Sequence, residues 1–465
     1  MTETRRMPWP GGRPQAVADV DLSRPHLVGI GGLGMAPLAT LLRGAGTTVT
    51  GSDASRGGHA AHHVDGRTVV VRSTAIEETN VEVSAAKVQG IPVVHRAQAL
   101  DLVLADHNWT AVTGTHGKTT TTAMLAHILL RSGLDPTWAI GGSPIGMEAA
   151  RWSIREAGVA EVDESDRSFL LTSPPIALVL NLDADHLENY NGRYGELVDA
   201  FEQWGRHLGE DTQLVLCGDD GGAMMLRHRL LGIGGSPHIT TYGRTAAADM
   251  RIQRIESGRA GSVVALTSGV TFTFPVLGEE QALNAVGAIT VAGLYGVPEA
   301  DAAQALETFA GVERRLTHST FDTGTTILTS YAHHPTAIRA DLEAARQLAD
   351  ECRGRLILAF QPSGLHRVTT MYTEIALALA AADETVLLPL HTRYTGGEHD
   401  HLLPMIADRQ RRVRAVARDL AEATDALLEA VKPGDVIVLM GTGDVADLAP
   451  ALATATEAVE TARLG

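Results

Sequence analysis

Cysteine is scarce in this sequence, since the 465 residues include only Cys217 and Cys352. Neither belongs to a CxxC pair or a cluster of cysteines and histidines, so we expect no disulfide framework and no zinc site. The chain also lacks an apolar run of about 18 residues, the length that spans a membrane, and its N-terminal segment lacks the apolar stretch of a secretion signal. We therefore predict a cytoplasmic protein.

Basic residues are also few, because Lys and Arg total 38 against 55 Asp and Glu, a formal net charge of -17. Such an acidic surface repels phosphate backbones and anionic lipids, which argues against nucleic acid and membranes as partners. A small anionic substrate stays possible where local Lys, Arg or metal ions overcome the field. The length predicts about three domains at ~150 residues each.

Short apolar strands alternate with helical patterns along the chain, which predicts doubly wound parallel sheets. The pattern begins at a strand over His26–Ile30 and restarts at Trp109–Thr113 and again near Arg315. We therefore predict an α/β fold of three tandem Rossmann-like domains, with expected boundaries at 1–107, 108–312 and 313–465. Other predicted strands are Thr48–Thr50, Thr68–Arg72, Ile91–Val94, Ala177–Leu180, Leu214–Leu216, Thr326–Leu328, Arg355–Phe360, Thr385–Leu390 and Val436–Met440.

The strongest local motif is a glycine-rich loop between a predicted strand and helix. Its glycines let successive N–H groups converge on a phosphate at a helix N-terminus. Lys118 supplies a charge for the β- and γ-phosphates, and the Thr119 hydroxyl can hold Mg²⁺. Position 112 is Val rather than Gly, so the spacing of the full P-loop is not met. The predicted nucleotide-binding residues are Gly114, Thr115, His116, Gly117, Lys118, Thr119 and Thr120.

Two acidic segments follow, over residues 161–166 (EVDESD) and 181–186 (NLDADH). The second lies at the end of a predicted strand, where a doubly wound sheet places its ligand groups. Their carboxylates are hard ligands that suit Mg²⁺, and one histidine can complete a second metal site. Each segment alone is more typical of a solvated loop, but together with Lys118 they indicate a metal–nucleotide site.

The first strand runs into a second glycine set, residues 29–34 (GIGGLG), and Asp53 follows the next strand. This weak motif is typical of NAD-binding proteins, so an oxidoreductase is one alternative. A narrower interpretation is a binding turn in which Gly31, Gly32 and Gly34 approach a pyrophosphate-like anion and Asp53 meets a hydroxyl or amide. A purely structural turn is a third possibility.

Two further motifs, residues 331–336 (YAHHPT) and 311–315 (GVERR), are ambiguous by themselves. Paired histidines are as often solvated as ligating, and paired arginines at a domain junction can form a surface hinge or reach a nucleotide.

Taken together, these motifs resemble the Mur ligase family, over nearly the whole chain. The matching segments, in family order from about residue 26 to 362, are GIGGLGM, GSD, STAI, GIPVVHRA, GTHGKTTTT, GLDPTWAIGG, EVDESDRSFL, NLDADH, LNA, GVERR, YAHHPT and FQP. The resemblance implies an ATP-dependent, ADP-forming ligase that joins a carboxylate, with a UDP-linked acid as one candidate, to an amino acid or other amine through an acyl phosphate. It also implies that residues 1–107 form a shortened domain for the acid substrate, that residues 108–312 form a P-loop-type ATPase domain, and that residues 313–465 bind the amine substrate. Because two anions must meet, Lys118, Mg²⁺ and the loop amides would neutralise charge.

The resemblance also implies residue roles. Lys118 would be catalytic together with Glu161 and His186. Thr119 and Glu161 would bind one Mg²⁺, and His186 a second. Asn284 would face the adenine and Arg315 the phosphates, while His333 and Arg367 would meet the incoming amino acid.

Several segments depart from the family pattern. The stretch between Asp53 and Ser73 is short where the family has a further helix and strand ending in Gly-His. The family's ribose-binding Asp is Ser330, and one of two carboxylate-binding arginines is absent, which leaves Arg367 alone. The family's His-Asn pair is Glu280-Gln281 here. These departures suggest two alternatives: a paralogue that joins another acid and amine in a specialised pathway, and a non-catalytic nucleotide-binding protein. We expect a monomer or homodimer.

Overall fold

A computed structural model describes residues 20–232, 234–321, 324–391 and 402–454. The chain forms two compact units. Of the described residues, the first unit contains 20–232, 234–254, 265–272 and 283–309, and the second contains 255–264, 273–282, 310–321, 324–391 and 402–454. Each unit carries α/β layers, and no helix of the described residues is long and apolar enough to cross a membrane.

A four-stranded parallel sheet begins the first unit, in the order β2-β1-β3-β4. Its third strand contains Val69, Val70 and Val71, all fully buried, as expected for a parallel strand covered on both faces. The connection from β2 to β3 contains a single 3₁₀ turn, Ala61–Val64, in place of an α-helix. The elements are β1 (Pro25–Val28), α1 (Met35–Gly44), β2 (Thr50–Ser52), β3 (Val69–Arg72), α2 (Val81–Val88), β4 (Val93–His95) and α3 (Arg96–Val103).

A larger sheet follows in the first unit, and seven of its ten strands have the order β11-β10-β9-β5-β8-β6-β7. These seven strands are parallel except at the β6–β7 edge. Trp152 lies against Gly44 of α1 and joins this sheet to the first one. Its strands are β5 (Asn108–Thr113), β6 (Thr137–Ala139), β7 (Ala150–Arg151), β8 (Ala157–Glu161), β9 (Ile176–Val179), β10 (Gln213–Cys217) and β11 (His238–Gly243). Its helices are α4 (Lys118–Arg131), α5 (Tyr194–Leu208) and α6 (Gly221–Leu230), and 3₁₀ turns cover Ser168–Leu171 and Leu187–Tyr190.

Three strands and two helices follow, with residues divided between the two units. They are β12 (Met250–Gly258), β13 (Gly261–Leu266), β14 (Thr271–Phe274), α7 (Glu279–Leu294) and α8 (Glu299–Leu306).

The second unit contains a six-stranded sheet in the order β15-β16-β20-β17-β18-β19, parallel except for β15. Apolar side chains of its first two long helices pack on one face, and those of its last helix pack on the other. The strands are β15 (Arg315–Thr320), β16 (Thr326–Ser330), β17 (Leu356–Gln361), β18 (Glu384–Leu387), β19 (Val413–Val416) and β20 (Val436–Gly441). The helices are α9 (Pro335–Cys352), α10 (Leu365–Leu379), α11 (Leu402–Ala407) and α12 (Leu420–Ala430), followed by a 3₁₀ turn, Asp444–Leu448.

Candidate active site

The glycine-rich loop connects β5 to α4, as its sequence predicts, and two of its glycines are required by the backbone. Gly114 has φ +125° and Gly117 has φ +85°, a region that favours glycine. A Cβ at Gly114 would lie 2.9 Å from the carbonyl oxygen of Asn181, and a Cβ at Gly117 would lie 2.6 Å from Nδ2 of Asn284. The loop is therefore closely packed, and Asn284 is brought against it.

Side chains from the loop after β9 hold the glycine-rich loop in place. The His116 N–H donates to Oδ1 of Asn181 at 2.8 Å, and the Asn181 side-chain amide donates back to the His116 carbonyl. The His116 ring lies 2.9 Å from Oδ2 of Asp183, measured from Nε2. The Asp183 N–H donates to the Thr115 hydroxyl at 2.9 Å. These contacts hold the loop through groups of the protein itself, which is the preorganisation that an anion site needs.

Lys118 is the first residue of α4, and its ammonium group is turned back into the loop. Its Nζ donates to the carbonyls of Gly114 (2.9 Å) and Thr115 (3.2 Å) and to Oε2 of Glu164 (2.6 Å). Burial lowers the pKa of Lys118, but the carboxylates of Glu164, Asp163 and Glu161 outweigh burial and raise it above the ordinary value. Lys118 is therefore a fixed positive charge at the N-terminus of a helix.

Glu164 is the buried partner of that charge, with a side chain that is 3% exposed. Burial raises the pKa of Glu164 to about 7, although Lys118 opposes the rise. The backbone carbonyl of Glu164 also accepts the hydroxyl of Tyr190, so the segment is anchored on both sides.

Thr119 and Glu161 come together beside the loop. The Thr119 hydroxyl donates to Oε1 of Glu161 at 3.1 Å, and the Gly141 N–H donates to Oε2 at 2.8 Å. A hydroxyl and a carboxylate at this separation are both oxygen ligands of the kind that Mg²⁺ accepts. Thr120 is buried in the same turn of α4.

His186 begins the 3₁₀ turn Leu187–Tyr190, with φ +53°. Its ring lies 3.6 Å from Oδ2 of Asp185 and 3.7 Å from Oε1 of Glu188. The side chain is one-third exposed and lies in the loop that follows β9, the strand that pairs with β5.

The first glycine set forms a turn between β1 and α1, and Asp53 fills part of it. Oδ2 of Asp53 accepts the Gly31 N–H at 3.1 Å. The other two glycines are packed closely, since a Cβ at Gly32 would lie 3.3 Å from the Gly29 carbonyl oxygen and one at Gly34 would lie 2.9 Å from Nη1 of Arg96. The pKa of Asp53 lies below its ordinary value because Ser55 and Gly31 donate to the carboxylate.

Arg96 connects this turn to the acidic segment of the larger sheet. Its guanidinium packs against Gly34 and donates to Oδ2 of Asp163 at 3.1 Å. Thr74 makes a second link to the same segment, with its hydroxyl donating to Asp166 at 2.7 Å.

The other predicted residues lie in the second unit. The Arg315 guanidinium stacks over the Tyr331 ring at 4.9 Å, and Nδ1 of His333 lies 2.9 Å from the Tyr331 carbonyl oxygen. Ser330 donates its hydroxyl to Asp341, so a carboxylate does lie beside the position where the family pattern has Asp. Arg367 lies in the first turn of α10.

Models of three Mur ligase domains match this chain in order. The Mur ligase family catalytic domain matches residues 24–108, the Mur ligase middle domain matches residues 112–292, and the Mur ligase glutamate ligase domain matches residues 314–443. The chain belongs to the Mur ligase family.

Relatives over the full length agree with this assignment. A UDP-N-acetylmuramate–L-alanine ligase of Streptomyces avermitilis is 38% identical, and the match covers 92% of this chain and 96% of the relative. An enzyme of the same name from Renibacterium salmoninarum is 36% identical over 96% and 99% of the two chains. The crystal structure of the UDP-N-acetylmuramate-alanine ligase of Thermotoga maritima superposes with a TM-score of 0.76 at 25% identity, over 94% of this chain and 99% of that one.

Membership in the family confirms the predicted tandem α/β domains and the predicted activity class. This Mur ligase is an ATP-dependent, ADP-forming carbon–nitrogen ligase. The oxidoreductase alternative drawn from the first glycine set is not favoured, because the whole chain matches ligases.

Sequence reasoning placed segments 161–166 and 181–186 at a metal–nucleotide site but gave no individual role to Glu164, Asn181 or Asp183, and it did not single out Gly141. Glu164 stands in a run of acidic residues that is typical of a solvated loop, and nothing in the run indicates that its side chain is buried. Asn181 and Asp183 do belong to the NLDADH segment, and the position of that segment at a strand end was the available signal.

Proposed function

We propose that this Mur ligase joins the carboxylate of UDP-N-acetylmuramate to the amine of L-alanine, at the expense of ATP and with Mg²⁺. The observation that carries the proposal is its 36–38% identity, over more than nine-tenths of the chain, to enzymes of that name. The preformed cluster around Lys118 supports it, because such a cluster suits transfer of a phosphoryl group between two anions.

The residues beside the glycine-rich loop fit a Mg²⁺ ion. We assign Thr119 and Glu161 to it because their oxygens are adjacent and the Gly141 N–H orients the carboxylate. The ion would draw negative charge from the phosphates during transfer. His186 remains our candidate for a second Mg²⁺, and the acidic neighbours of its ring support that role.

Lys118 and the loop amides would bind the β- and γ-phosphates. Lys118 is already charged and aligned along the helix N-terminus, so it needs only to exchange Glu164 for a phosphate oxygen. Asn284 contacts the loop at Gly117, and we assign it to the adenosine end of the nucleotide.

We assign the acid substrate to the first glycine turn, with Gly31, Gly32, Gly34 and Asp53 in contact with it. Asp53 keeps its charge at neutral pH and accepts hydrogen bonds, so it suits a hydroxyl or amide donor of a sugar nucleotide. In the second unit, Arg315 is assigned to phosphate, and His333 and Arg367 to the amino acid, from the family pattern.

The decisive experiment measures ADP release and the amide product with Mg-ATP, UDP-N-acetylmuramate and L-alanine. Lys118→Ala is the blank, and Lys87→Ala is its matched control, because Lys87 is a half-exposed lysine of the same unit that pairs with Glu78. We expect robust ADP release and UDP-N-acetylmuramoyl-L-alanine from the wild type and Lys87→Ala, with at least a 100-fold loss in Lys118→Ala.

Other outcomes would contradict the proposal in distinct ways. Turnover only with a different acid or amine would identify a paralogue with other substrates. ATP binding without ADP release for any pair of substrates would identify a non-catalytic protein.

A further inference from the structure

Glu82 is a fully buried carboxylate in the first turn of α2. It precedes the glycine-rich loop, residues 114–120, in the sequence and does not belong to the site described above. It accepts the Ser52 hydroxyl at 2.6 Å and the Ala60 N–H at 3.2 Å. A buried charge is costly unless it is well paired, so the rest of its surroundings must compensate it.

Histidines supply that compensation. Nδ1 of His63 lies 2.6 Å from Oε1 of Glu82, and Nδ1 of His59 lies 3.1 Å from Oε2. Nε2 of His26 lies 3.5 Å from Oε2. Three imidazoles therefore surround one carboxylate, although His26, the pair His59 and His63, and Glu82 come from three separate segments of the chain.

Of these three histidines, His26 has one ring nitrogen whose hydrogen bonding is not satisfied. Its side chain is 2% exposed, and Nδ1 is fixed at 3.0 Å from the Thr50 hydroxyl. Nε2 is buried, is directed toward Glu82, and has no hydrogen-bond partner among the described residues. Buried polar atoms are rarely left in this state, and an unseen ligand is one physical reason for it.

We propose that His26, His63 and Glu82 bind a divalent transition-metal ion, with Zn²⁺ as the expected occupant. One ligand atom from each lies within 4.8 Å of the other two. In tetrahedral zinc sites the Zn–N and Zn–O bonds are about 2.0–2.1 Å long, so two ligand atoms lie about 3.3 Å apart. The separation of 3.5 Å between Nε2 of His26 and Oε2 of Glu82 is close to that ligand–ligand distance. The contact between His63 and Glu82 is a hydrogen bond that would lengthen as the metal replaces its proton.

The type of donor favours zinc over the magnesium of the nucleotide site. Imidazole nitrogen with one carboxylate is a ligand set for zinc and related ions, whereas Mg²⁺ prefers oxygen. Burial lowers the pKa of His26, so its ring is neutral and able to donate a lone pair. Cysteine scarcity argued against zinc in the sequence, but these ligands are histidines and a glutamate.

A bound metal would stabilise the connection from β2 to β3, which has no α-helix to pack on the sheet. The connection from β2 to β3 contains only the turn Ala61–Val64, and His63 lies in that turn while His26 and Glu82 belong to β1 and α2. Binding would tie the connection to the sheet. Ser52, which donates to Glu82, directly precedes Asp53 of the first glycine turn.

The test is a zinc titration of the full, untagged chain in competition with a chromophoric chelator, with excess Mg²⁺ to occupy oxygen sites. We expect one tight site per chain in the wild type and at least a tenfold weakening in His63→Asn and Glu82→Gln. His62→Asn is the matched control, because His62 is the exposed neighbour that packs against His63 at 4.6 Å between ring centroids. It should bind zinc as the wild type does.

Thermal unfolding provides a second readout that does not depend on ligase activity. Zinc should raise the Tm of the wild type and of His62→Asn and leave that of His63→Asn unchanged, because a ligand stabilises only the state that binds it. Absence of tight binding in the wild type overturns the proposal. Equal affinity and an equal Tm shift in the wild type and His63→Asn overturn it as well. Either result leaves the proposed ligase function unaffected.

Discussion

The two glycine-rich turns of the first unit have the same position between a strand and a helix, but their surroundings differ. In the turn after β1, the chain's own Asp53 occupies the Gly31 N–H. In the loop after β5, the side chain at the helix start is the cation Lys118, and it is surrounded by Glu161, Asp163 and Glu164. One turn presents a fixed carboxylate and the other a fixed ammonium group.

Glycines therefore determine where a backbone can curve, while neighbouring charges determine what can bind there. A turn that contains a carboxylate suits a ligand with a hydroxyl or amide donor. A loop that contains a lysine ammonium group beside carboxylates suits a metal-bound phosphate. The glycine pattern alone is therefore a poor guide to the ligand.

The largest effect should come from Gly117→Ala. The residue has φ +85°, and the added Cβ would lie 2.6 Å from Nδ2 of Asn284, so the loop must distort. We expect kcat/KM for ATP to fall by about 100-fold or more, since a shift of about 1 Å in a positioning group can have that effect. Gly29→Ala is the equivalent change in the other turn, with φ +76° and only an ordinary contact at 3.5 Å to Ile76, and we expect it to leave the KM for ATP unchanged.

Gly133→Ala controls for backbone strain alone, because Gly133 has φ +78° in open space at the end of the same helix. Steady-state kinetics with varied ATP measures all three variants. If Gly29→Ala impaired ATP use as much as Gly117→Ala, the two turns would not be functionally distinct.

A smaller effect is expected for Thr119→Val. It removes the hydroxyl that donates to Glu161 and preserves the size of a buried side chain. We expect the Mg²⁺ concentration for half-maximal activity to rise at least about tenfold, which a Mg²⁺ titration measures. Thr122→Val is the matched control, since the Thr122 hydroxyl donates to the Lys118 carbonyl within its own helix. A Mg²⁺ dependence that is the same in both variants would remove Thr119 from the metal site.

Asp53→Asn tests the other turn. The substitution removes the charge but keeps an oxygen that can accept the Gly31 N–H. We expect a several-fold rise in KM for the acid substrate, with kcat and the KM for ATP preserved, because only uniform binding is lost. Asp65→Asn, at an exposed carboxylate that pairs with Gln89, should change none of these constants. A fall in kcat with unchanged KM would place Asp53 in the chemical step instead.

The last prediction concerns stability rather than activity, and it defines the pH range in which the two turns can be compared. His95 caps α3 by accepting the Ala97 N–H at Nδ1, which requires a neutral ring, and burial lowers its pKa to about 4. The unfolded chain takes up its proton near pH 6.5, so the folded state loses up to about 3 kcal/mol as the pH falls from 6.5 to 4.

His95→Asn should flatten this dependence, because Asn caps a helix without titrating. Unfolding midpoints measured between pH 4 and pH 7 would test it, with His62→Asn as an exposed control. Parallel curves for the wild type and His95→Asn would show that His95 is not the source of the acid sensitivity.

Much of the fold could be predicted because buried strands are visible as apolar runs. The strand predicted over Thr68–Arg72 is present as β3 (Val69–Arg72). The strand predicted over His26–Ile30 ends at Val28, since Gly29 turns the chain with φ +76°. The strand predicted over Thr48–Thr50 is wrong by two residues, because β2 pairs with β1 only from Thr50 to Ser52.

Contacts between distant segments could not be predicted. Lys118 and Glu164 meet because β5 and β8 are neighbours in the sheet, and the sequence contains no sign of that pairing. The same holds for Glu82 and its histidines, which the order β2-β1-β3 brings together. Residues next to a glycine motif were therefore identifiable, whereas their partners depended on the topology.

The pairing of Lys118 with Glu164 has a consequence for how nucleotide affinity responds to salt. When a phosphate binds Lys118, it replaces Glu164 as the counter-ion of the ammonium group. The lysine therefore does not pass from water to an ion pair, because it is paired in both states. Dissolved ions screen exposed charges over about 8–10 Å but act much less on buried ones. Affinity gained through Lys118 should therefore vary little with ionic strength, in contrast to recognition by exposed basic side chains.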